Sequence, residues 1–185
     1  MNQEIEKSLY NLQEGNLILY PTDTVWGLGC DATDEQAVSK IFQLKRREES
    51  KSLVILVSSL EMLKKNVQYI PEQALKLLEA VEKPTTIIYK NPIGLAKNTV
   101  ASDHTIAIRI PEHNFCKELI ERFGKPIVST SANISGDPTP KSFSEISRPI
   151  LEGVDYIVNL EREKITDKSS TILKLNDDEI EVIRA

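Results

Sequence analysis

Apolar and polar positions follow helical and strand periods along most of this 185-residue chain. The apolar spacing over Glu4 to Leu12 is that of an amphipathic helix, and the apolar run from Leu17 to Tyr20 predicts a strand that a proline ends. Thr33 and Gln36 have the spacing of a capping box, so we expect the next helix to begin there and to reach the basic residues that start at Lys45. The chain therefore opens with a helix, a strand and a second helix.

The middle and the end of the chain continue with short strands and helices. Leucine and β-branched residues from Leu53 to Val57 form a run too short for a helix, which predicts a strand buried on both faces. Behind it, Ser58 and Glu61 have the spacing of a helix cap, and Pro71 suits the first turn of a further helix. The remaining predicted elements are strands at Thr85 to Tyr89, Thr105 to Ile110 and Pro126 to Val128, a helix over Phe115 to Phe123 that ends at Gly124, a capping box at Ser142 and Glu145, and strands at Tyr156 to Leu160, Thr171 to Leu175 and Glu179 to Arg184.

These elements predict an α/β fold. Helices and strands alternate through most of the chain, whereas the C-terminal strands follow one another, with Asn176 to Asp178 as a hairpin turn between the last of them. Neither a linker nor an internal repeat interrupts this succession. We expect a single domain over residues 1–185, with a twisted mixed sheet flanked by helices.

The charge balance limits the partners that the whole surface can attract. Lysine and arginine number 23 against 28 acidic residues, which gives a net charge of −5. Such a surface does not adhere non-specifically to nucleic acid or to an anionic membrane, so a site for a polyanion has to be a local basic patch. The sequence has no apolar run of 18 residues and no secretory pattern at its start, so we expect no membrane contact and a cytoplasmic location.

Cysteine and histidine do not point to a metal site or to a disulfide. Cys30 and Cys116 are far apart and lack CxxC spacing, so we expect two buried thiols. His104 and His113 have no second ligand at metal-binding spacing, and the sequence has no metalloprotease, Walker, Rossmann or nucleophile-elbow motif. We therefore expect neither a metal-ligating side chain nor a nucleophilic one.

Two loops of small residues supply the candidate chemistry. The first is PTDTVWGLG, residues 21–29, and the second is STSANISGDPTP, residues 129–140. Each follows an apolar run, so we expect their hydroxyls and backbone amides at strand ends, where open α/β sheets place ligand sites. Taken alone, the first loop is also consistent with a simple turn in which Asp23 folds onto neighbouring backbone amides.

A basic cluster lies between the two loops in the sequence, and its members are Lys45, Arg46, Arg47 and Lys51. Arginine holds phosphate oxygens in pairs and lysine acts as a mobile point charge, so the cluster suits a triphosphate. Together with the hydroxyls of the loops, these groups can position a polyphosphate and stabilise charge during phosphoryl or nucleotidyl transfer. The cluster by itself is equally consistent with a solvated helix end.

The loops and the basic cluster belong to a series of motifs that spans the chain. The series is PTDTVWGLG, Lys45-x-Arg47, Lys51-x-Leu53, Thr105-x-x-x-Arg109-x-Pro111, Ser131-Ala132-Asn133, Ser170-Thr171 and Arg184. In order and spacing it resembles the YrdC-like threonylcarbamoyl-AMP synthases, and it implies the fold of their short, single-domain type with a concave basic ligand cleft. That family forms threonylcarbamoyl-AMP and pyrophosphate from L-threonine, bicarbonate and ATP, with magnesium, towards threonylcarbamoyladenosine in tRNA. The resemblance therefore implies a nucleotidyltransferase.

The resemblance also implies roles for individual residues. The implied catalytic residues are Lys45, Arg47 and Arg109. The implied L-threonine contacts are Thr22, Lys51, Arg109, Ser131 and Ser170, and the implied ATP contacts are Lys45, Arg47, Thr105, Asn133, Lys141 and Arg184. The implied partners are the tRNA threonylcarbamoyl transferase machinery and tRNA or other double-stranded RNA.

A few positions depart from the family's usual residues and keep alternatives open. Trp26 stands where tyrosine is common, and Glu48 and Ser52 stand where prolines are common. Prolines would fix φ in the basic loop, so the motif does not determine the direction of Lys51. Two alternatives remain at this point, a paralogue with a different acceptor and a module that binds double-stranded RNA. The net charge of −5 and the aromatic content of 5% disfavour the RNA-binding module.

Overall fold

The computed structural model describes residues 1–48, 53–176 and 179–185. Its helices are α1 Asn2–Gln13, α2 Glu35–Lys45, α3 Leu60–Asn66, α4 Glu72–Ala80, α5 Asn114–Phe123 and α6 Arg148–Gly153. Its strands are β1 Ile18–Tyr20, β2 Gly27–Gly29, β3 Val54–Leu56, β4 Thr85–Lys90, β5 Thr105–Arg109, β6 Ile127–Val128, β7 Thr130–Ser131, β8 Tyr156–Ile157, β9 Thr171–Asn176 and β10 Glu179–Arg184. None of these helices is long and apolar enough to cross a membrane.

Within the described ranges the strands form two mixed sheets. The smaller has the order β7-β2-β1-β8, and the larger has the order β10-β9-β4-β5-β3-β6. The α/β class with mixed pairing is confirmed, but the strands divide between two sheets where one was expected. The reason is β2, which lies inside the first small-residue loop and pairs with one edge of β1 while β8 pairs with the other. Strand β1 then has no edge left for the larger sheet.

The chain crosses from the larger sheet to the smaller one at Ser129. Strand β6 ends at Val128 beside β3, and β7 begins at Thr130 beside β2. The backbone N–H of Ser129 itself donates to the carbonyl of Val54 at 2.8 Å, so this residue is attached to the larger sheet while its successor joins the smaller. The second small-residue loop therefore begins at the junction of the two sheets.

Two helix starts differ from the predicted ones by the choice of the capping residue, and a third predicted capping box begins no α-helix. Asp34, not Thr33, caps α2, because its carboxylate accepts from the N–H groups of the second and third helical residues. Ser59, not Ser58, caps α3 in the same way. The capping box expected at Ser142 and Glu145 instead encloses a short turn of 3-10 helix. At the starts of α2 and α3 neighbouring residues offer equivalent oxygens, and the backbone geometry selects one of them.

The segment after β8 is the largest local difference from the prediction. The strand expected over Tyr156 to Leu160 has ended by Ile157, and the backbone then runs without regular structure to Thr171. We call residues 158–170 the cavity loop. The C-terminal hairpin is present, with Asn176 paired to Glu179, while the remaining turn residues, Asp177 and Asp178, lie outside the described ranges.

The core lies on both faces of the larger sheet. Ile55 packs into the cluster that α2 and α4 cover, whereas Leu56 packs into the cluster formed with α1 and α5, so β3 is buried on both faces as predicted. Cys30 and Cys116 belong one to each of these clusters and are fully buried free thiols. A smaller cluster around Trp26 joins the smaller sheet to α6. Packing from several sides thus fixes the strand ends that surround the site.

Candidate functional site

A cavity of about 330 Å³ lies where the two sheets meet. The first small-residue loop lines it with residues 24–27, and the second lines it with residues 129–131 and with Thr139 and Lys141. The cavity loop adds residues 167–170, and Arg109 and Arg184 complete the charged lining at the ends of β5 and β10. The two loops, a hundred residues apart in sequence, therefore share one cavity of a size typical of small-molecule sites.

Arg109 is held at the edge of the cavity by an acidic partner from the first loop. Its guanidinium forms an ion pair with the carboxylate of Asp23, and the two side chains are 4% and 8% exposed. The other carboxylate oxygen of Asp23 accepts the backbone N–H of Glu112 at 3.1 Å. Asp23 thus bonds to the segment after β5 and not to amides within its own loop, so the simple-turn interpretation of PTDT is wrong.

Thr22 and Thr24 have different places in the same loop. The hydroxyl of Thr22 is buried, donates to the carbonyl of Val25 at 2.7 Å and accepts the backbone N–H of Thr24 at 3.0 Å. The hydroxyl of Thr24 lines the cavity and lies 3.4 Å from the guanidinium of Arg109. Thr22, which was predicted to contact L-threonine, therefore stabilises the conformation of the loop through hydrogen bonds. Thr24 is the residue of this pair that lines the cavity.

Lys45 lies beneath the second loop. Its side chain is fully buried, and Nζ donates to the carbonyls of Ser131 and Asn133 at 2.5 and 2.6 Å. Burial, and to a lesser extent the charge of Arg47, lowers the pKa of Lys45 to about 8. In the structure the ammonium group therefore bonds to the backbone of the Ser-Ala-Asn motif. The family resemblance had implied that it contacts the phosphates of ATP.

The rest of the basic cluster follows the end of α2. Arg46 ends the helix in the left-handed conformation, with φ of 51°, which turns the chain so that Arg47 becomes half-buried. Burial also lowers the pKa of Arg47. Lys51 lies outside the described residues, so its predicted contact with L-threonine stays a prediction.

Ser131 and Asn133 of the Ser-Ala-Asn motif face different spaces. Ser131 lines the main cavity. Asn133 lines a neighbouring cavity of about 300 Å³, and its side-chain amide donates to the carbonyls of Asp137 and Ile134 at 2.8 and 3.1 Å. Thr139 borders both cavities, so the second loop forms the boundary between them.

Ser170 and Arg184 meet at the far wall of the cavity. The guanidinium of Arg184 donates to the carbonyl of Ser170 at 2.7 and 3.1 Å, and the hydroxyl of Ser170 accepts from that of Thr86 at 2.8 Å. Arg184 therefore fixes the end of the cavity loop and also lines the cavity. Thr105, in contrast, bonds to Asp103 at the opposite end of β5 from Arg109 and is not part of the lining.

Within the cavity loop, the sequence motifs singled out only Ser170 as part of the site. Asp167, Lys168 and Ser169 line the cavity, and the loop is attached through Arg162, whose guanidinium lies 4.6 Å from the ring centre of Phe143. That ring in turn packs on the indole of Trp26, at 5.0 Å between centres. The density of polar side chains just before β9 was the available signal. The lining thus mixes an acidic side chain with basic ones, and the expected basic cleft stays a prediction.

A family model named for Sua5, YciO and YrdC and described as telomere recombination matches residues 10–185. A protein of Methanocaldococcus jannaschii is 36% identical over 97% of this chain and 83% of its own. A threonylcarbamoyl-AMP synthase of Hahella chejuensis is 35% identical over 82% of this chain and 83% of its own.

A solved structure shows the same arrangement of elements. Sua5 of Pyrococcus abyssi complexed with L-threonine superimposes with a TM-score of 0.91 at 30% identity, over all of this chain and 54% of the Sua5 chain. This chain therefore spans about half the length of that relative. The family expected from the motifs is confirmed. Because the family model covers nearly the whole sequence, the chain belongs to the Sua5/YciO/YrdC family.

Proposed function

We propose that this protein is a threonylcarbamoyl-AMP synthase, which forms threonylcarbamoyl-AMP and pyrophosphate from L-threonine, bicarbonate and ATP. The observation that carries the proposal is the shared cavity, in which an arginine and the hydroxyls of both small-residue loops face one small-molecule space. Its supports are the family match, the synthase names of the relatives, and the L-threonine bound to the Pyrococcus abyssi Sua5.

The reaction needs no nucleophile from the protein. Bicarbonate takes up a proton and loses water to give carbon dioxide. The amine of threonine forms a C–N bond with the carbon dioxide and releases a proton, which yields a carbamate. A carbamate oxygen then bonds to the α-phosphorus of ATP, while the bond from that phosphorus to the bridging oxygen breaks and its electron pair leaves with pyrophosphate. The protein contributes orientation and charge stabilisation, which are the functions that hydroxyls and cations can perform.

The threonine subsite in this proposal lies between the two loops. Arg109 pairs with the carboxylate of threonine, and the hydroxyls of Ser131 and Ser170 bond to its polar groups, because these three residues line the same cavity. Thr24 replaces Thr22 as the contact from the first loop, since Thr24 lines the cavity and Thr22 does not.

The nucleotide subsite is proposed on the side of the cavity that opens towards the second loop. Lys141, Lys168 and Arg184 line it with positive charge for the phosphates, and Asn133 borders the adjoining cavity. Lys45 acts on the nucleotide by holding the Ser-Ala-Asn backbone. Arg47, which follows the end of α2, is proposed as a contact of the phosphates. Magnesium enters as a part of the ATP substrate, and the oxygens of Asp167 and Ser169 are the kind of donors that this ion prefers.

We propose that the protein acts in the cytoplasm and that its product passes to a transferase that modifies tRNA. Threonylcarbamoyl-AMP is a mixed anhydride, which is labile in water, so a short route to the transferase is chemically favoured.

The proposal is tested by omitting one substrate at a time. The purified protein is incubated with ATP, magnesium, bicarbonate and L-threonine, and pyrophosphate release and the adenylate product are measured. We expect release only with the full set. Release that requires ATP and bicarbonate but accepts another amine in place of threonine would identify a paralogue with a different acceptor. Absence of pyrophosphate under all conditions, with the fold intact, would overturn the proposal.

A further inference from the structure

The acidic partner of Arg109 is a buried group that the reaction as written does not use. Asp23 has one carboxylate oxygen on the guanidinium and the other on the backbone N–H of Glu112, so both ends of its carboxylate are fixed. The guanidinium is fixed on its second nitrogen by the hydroxyl of Thr24 at 3.4 Å. The cavity-lining arginine therefore comes from β5, but its direction is set by the first loop.

The pairing also has an electrostatic effect on the cavity. A guanidinium that is 4% exposed attracts anions strongly unless a neighbouring charge balances it. The reason is that its buried surroundings have a low dielectric constant and screen its electric field much less than water does. The carboxylate of Asp23 supplies that balance. Anions that enter the cavity are then bound by a neutral pair whose geometry is fixed, and not by an isolated buried cation.

We infer that Asp23 is a positioning residue that both directs Arg109 into the cavity and limits its affinity for anions. The expected effect on turnover rests on the proposed function, in which Arg109 pairs with the carboxylate of threonine. An arginine side chain held in one orientation favours the geometry in which the bound threonine reacts. An arginine without a carboxylate to balance its charge would also retain the anionic product pyrophosphate. Pairing with Asp23 thus lets Arg109 orient a substrate without binding every anion tightly.

The test compares Asp23→Asn with Asp23→Glu and with a matched control. Asp31→Asn is the control, because Asp31 is an equally buried aspartate that pairs with Lys125 and bonds to Thr33 outside the cavity. Binding of inorganic phosphate to each protein without other substrates is measured by calorimetry, and kcat and KM for threonine are measured by pyrophosphate release. Melting temperatures show whether each variant is folded.

We expect Asp23→Asn to bind inorganic phosphate at least about tenfold more tightly than the wild type, as unbalanced buried charge requires. Its kcat should fall by about 10- to 100-fold, because small displacements of a positioning group have effects of that size. Asp23→Glu restores the charge but not the reach, so its phosphate affinity should return to the wild-type value while kcat stays low. Asp31→Asn should change neither quantity.

Two results would overturn the inference. One is an Asp23→Asn variant that is folded and matches the wild type in phosphate affinity and in kcat. The other, which decides the matter if Asp23→Asn does not fold, is an Asp23→Glu variant with wild-type kcat. Because phosphate binding needs no turnover, a protein that fails to release pyrophosphate still answers this question, and the failure of the proposed synthase is seen separately in the wild type.

Discussion

Replacement of Lys45 by methionine tests whether this lysine stabilises the second loop through its hydrogen bonds to the loop backbone. Methionine has a similar length and is apolar, so Lys45→Met removes the ammonium and leaves the carbonyls of Ser131 and Asn133 without their buried donor. A buried acceptor without a partner costs about 1–3 kcal/mol, and part of that cost is offset because no charge has to be buried. We expect a net loss of about 2 kcal/mol, or about 4–8 °C in melting temperature for a chain of this size.

The loss of stability in Lys45→Met should also depend on pH. Burial lowers the pKa of Lys45 to about 8 in the folded protein from an ordinary value of 10.5. Between these values the unfolded chain carries a proton that the folded chain has lost, so the free energy of unfolding rises with pH in this window. The variant lacks this contribution, and its deficit relative to the wild type should therefore grow between pH 8 and 10.5.

Denaturant unfolding at several pH values, with pyrophosphate release in parallel, measures both effects. Lys40→Met is the control, since Lys40 lies on the same helix and donates to the carbonyl of Gly15 from an exposed position. That variant should change stability by less than about 0.5 kcal/mol. A Lys45→Met protein with unchanged melting temperature and no activity would contradict this role, because the lysine would then act on the substrate and not on the loop. A deficit that shrinks with rising pH would refute the assigned sign.

Three further predictions follow from single contacts. Arg184→Gln should raise KM for threonine by about tenfold with a small change in melting temperature, because the exposed arginine fixes the cavity-loop end at Ser170; a wild-type KM would contradict this. His113→Gln should reduce the loss of stability on acidification below pH 6.5, since burial lowers the pKa of His113 beside Glu161 and the unfolded chain protonates first; parallel curves would contradict this. Gly29→Ala should destabilise by more than about 2 kcal/mol in denaturant unfolding, because its Cβ would lie 2.3 Å from a β6 carbonyl; a smaller loss would show that the sheets can separate there.

Local patterns were sufficient for most of the elements. The run from Leu53 to Val57 predicted a strand buried on both faces, and that strand has residues in both core clusters. Gly124 predicted the end of α5, which it caps with φ of 74°. In both places the decisive information lies within a few neighbouring residues, so periodicity and capping rules can read it.

Contacts between distant residues were beyond those rules. The spacing of the basic cluster could not show whether Lys45 faces solvent, a phosphate or a carbonyl, because its partners lie 86 and 88 residues further on. The function of Asp23 likewise depends on Arg109, 86 residues away. The motifs therefore named several of the segments that line the cavity, and tertiary packing decided which of their side chains reach it.

The passage of the chain between the two sheets at Ser129 makes the cavity a property of the whole fold. Its walls belong to both sheets, so neither sheet can unfold while the other keeps a competent site. A ligand in the cavity should then protect amide hydrogens across the entire chain from exchange, and at a hundred times its Kd it adds about 2.7 kcal/mol to global stability.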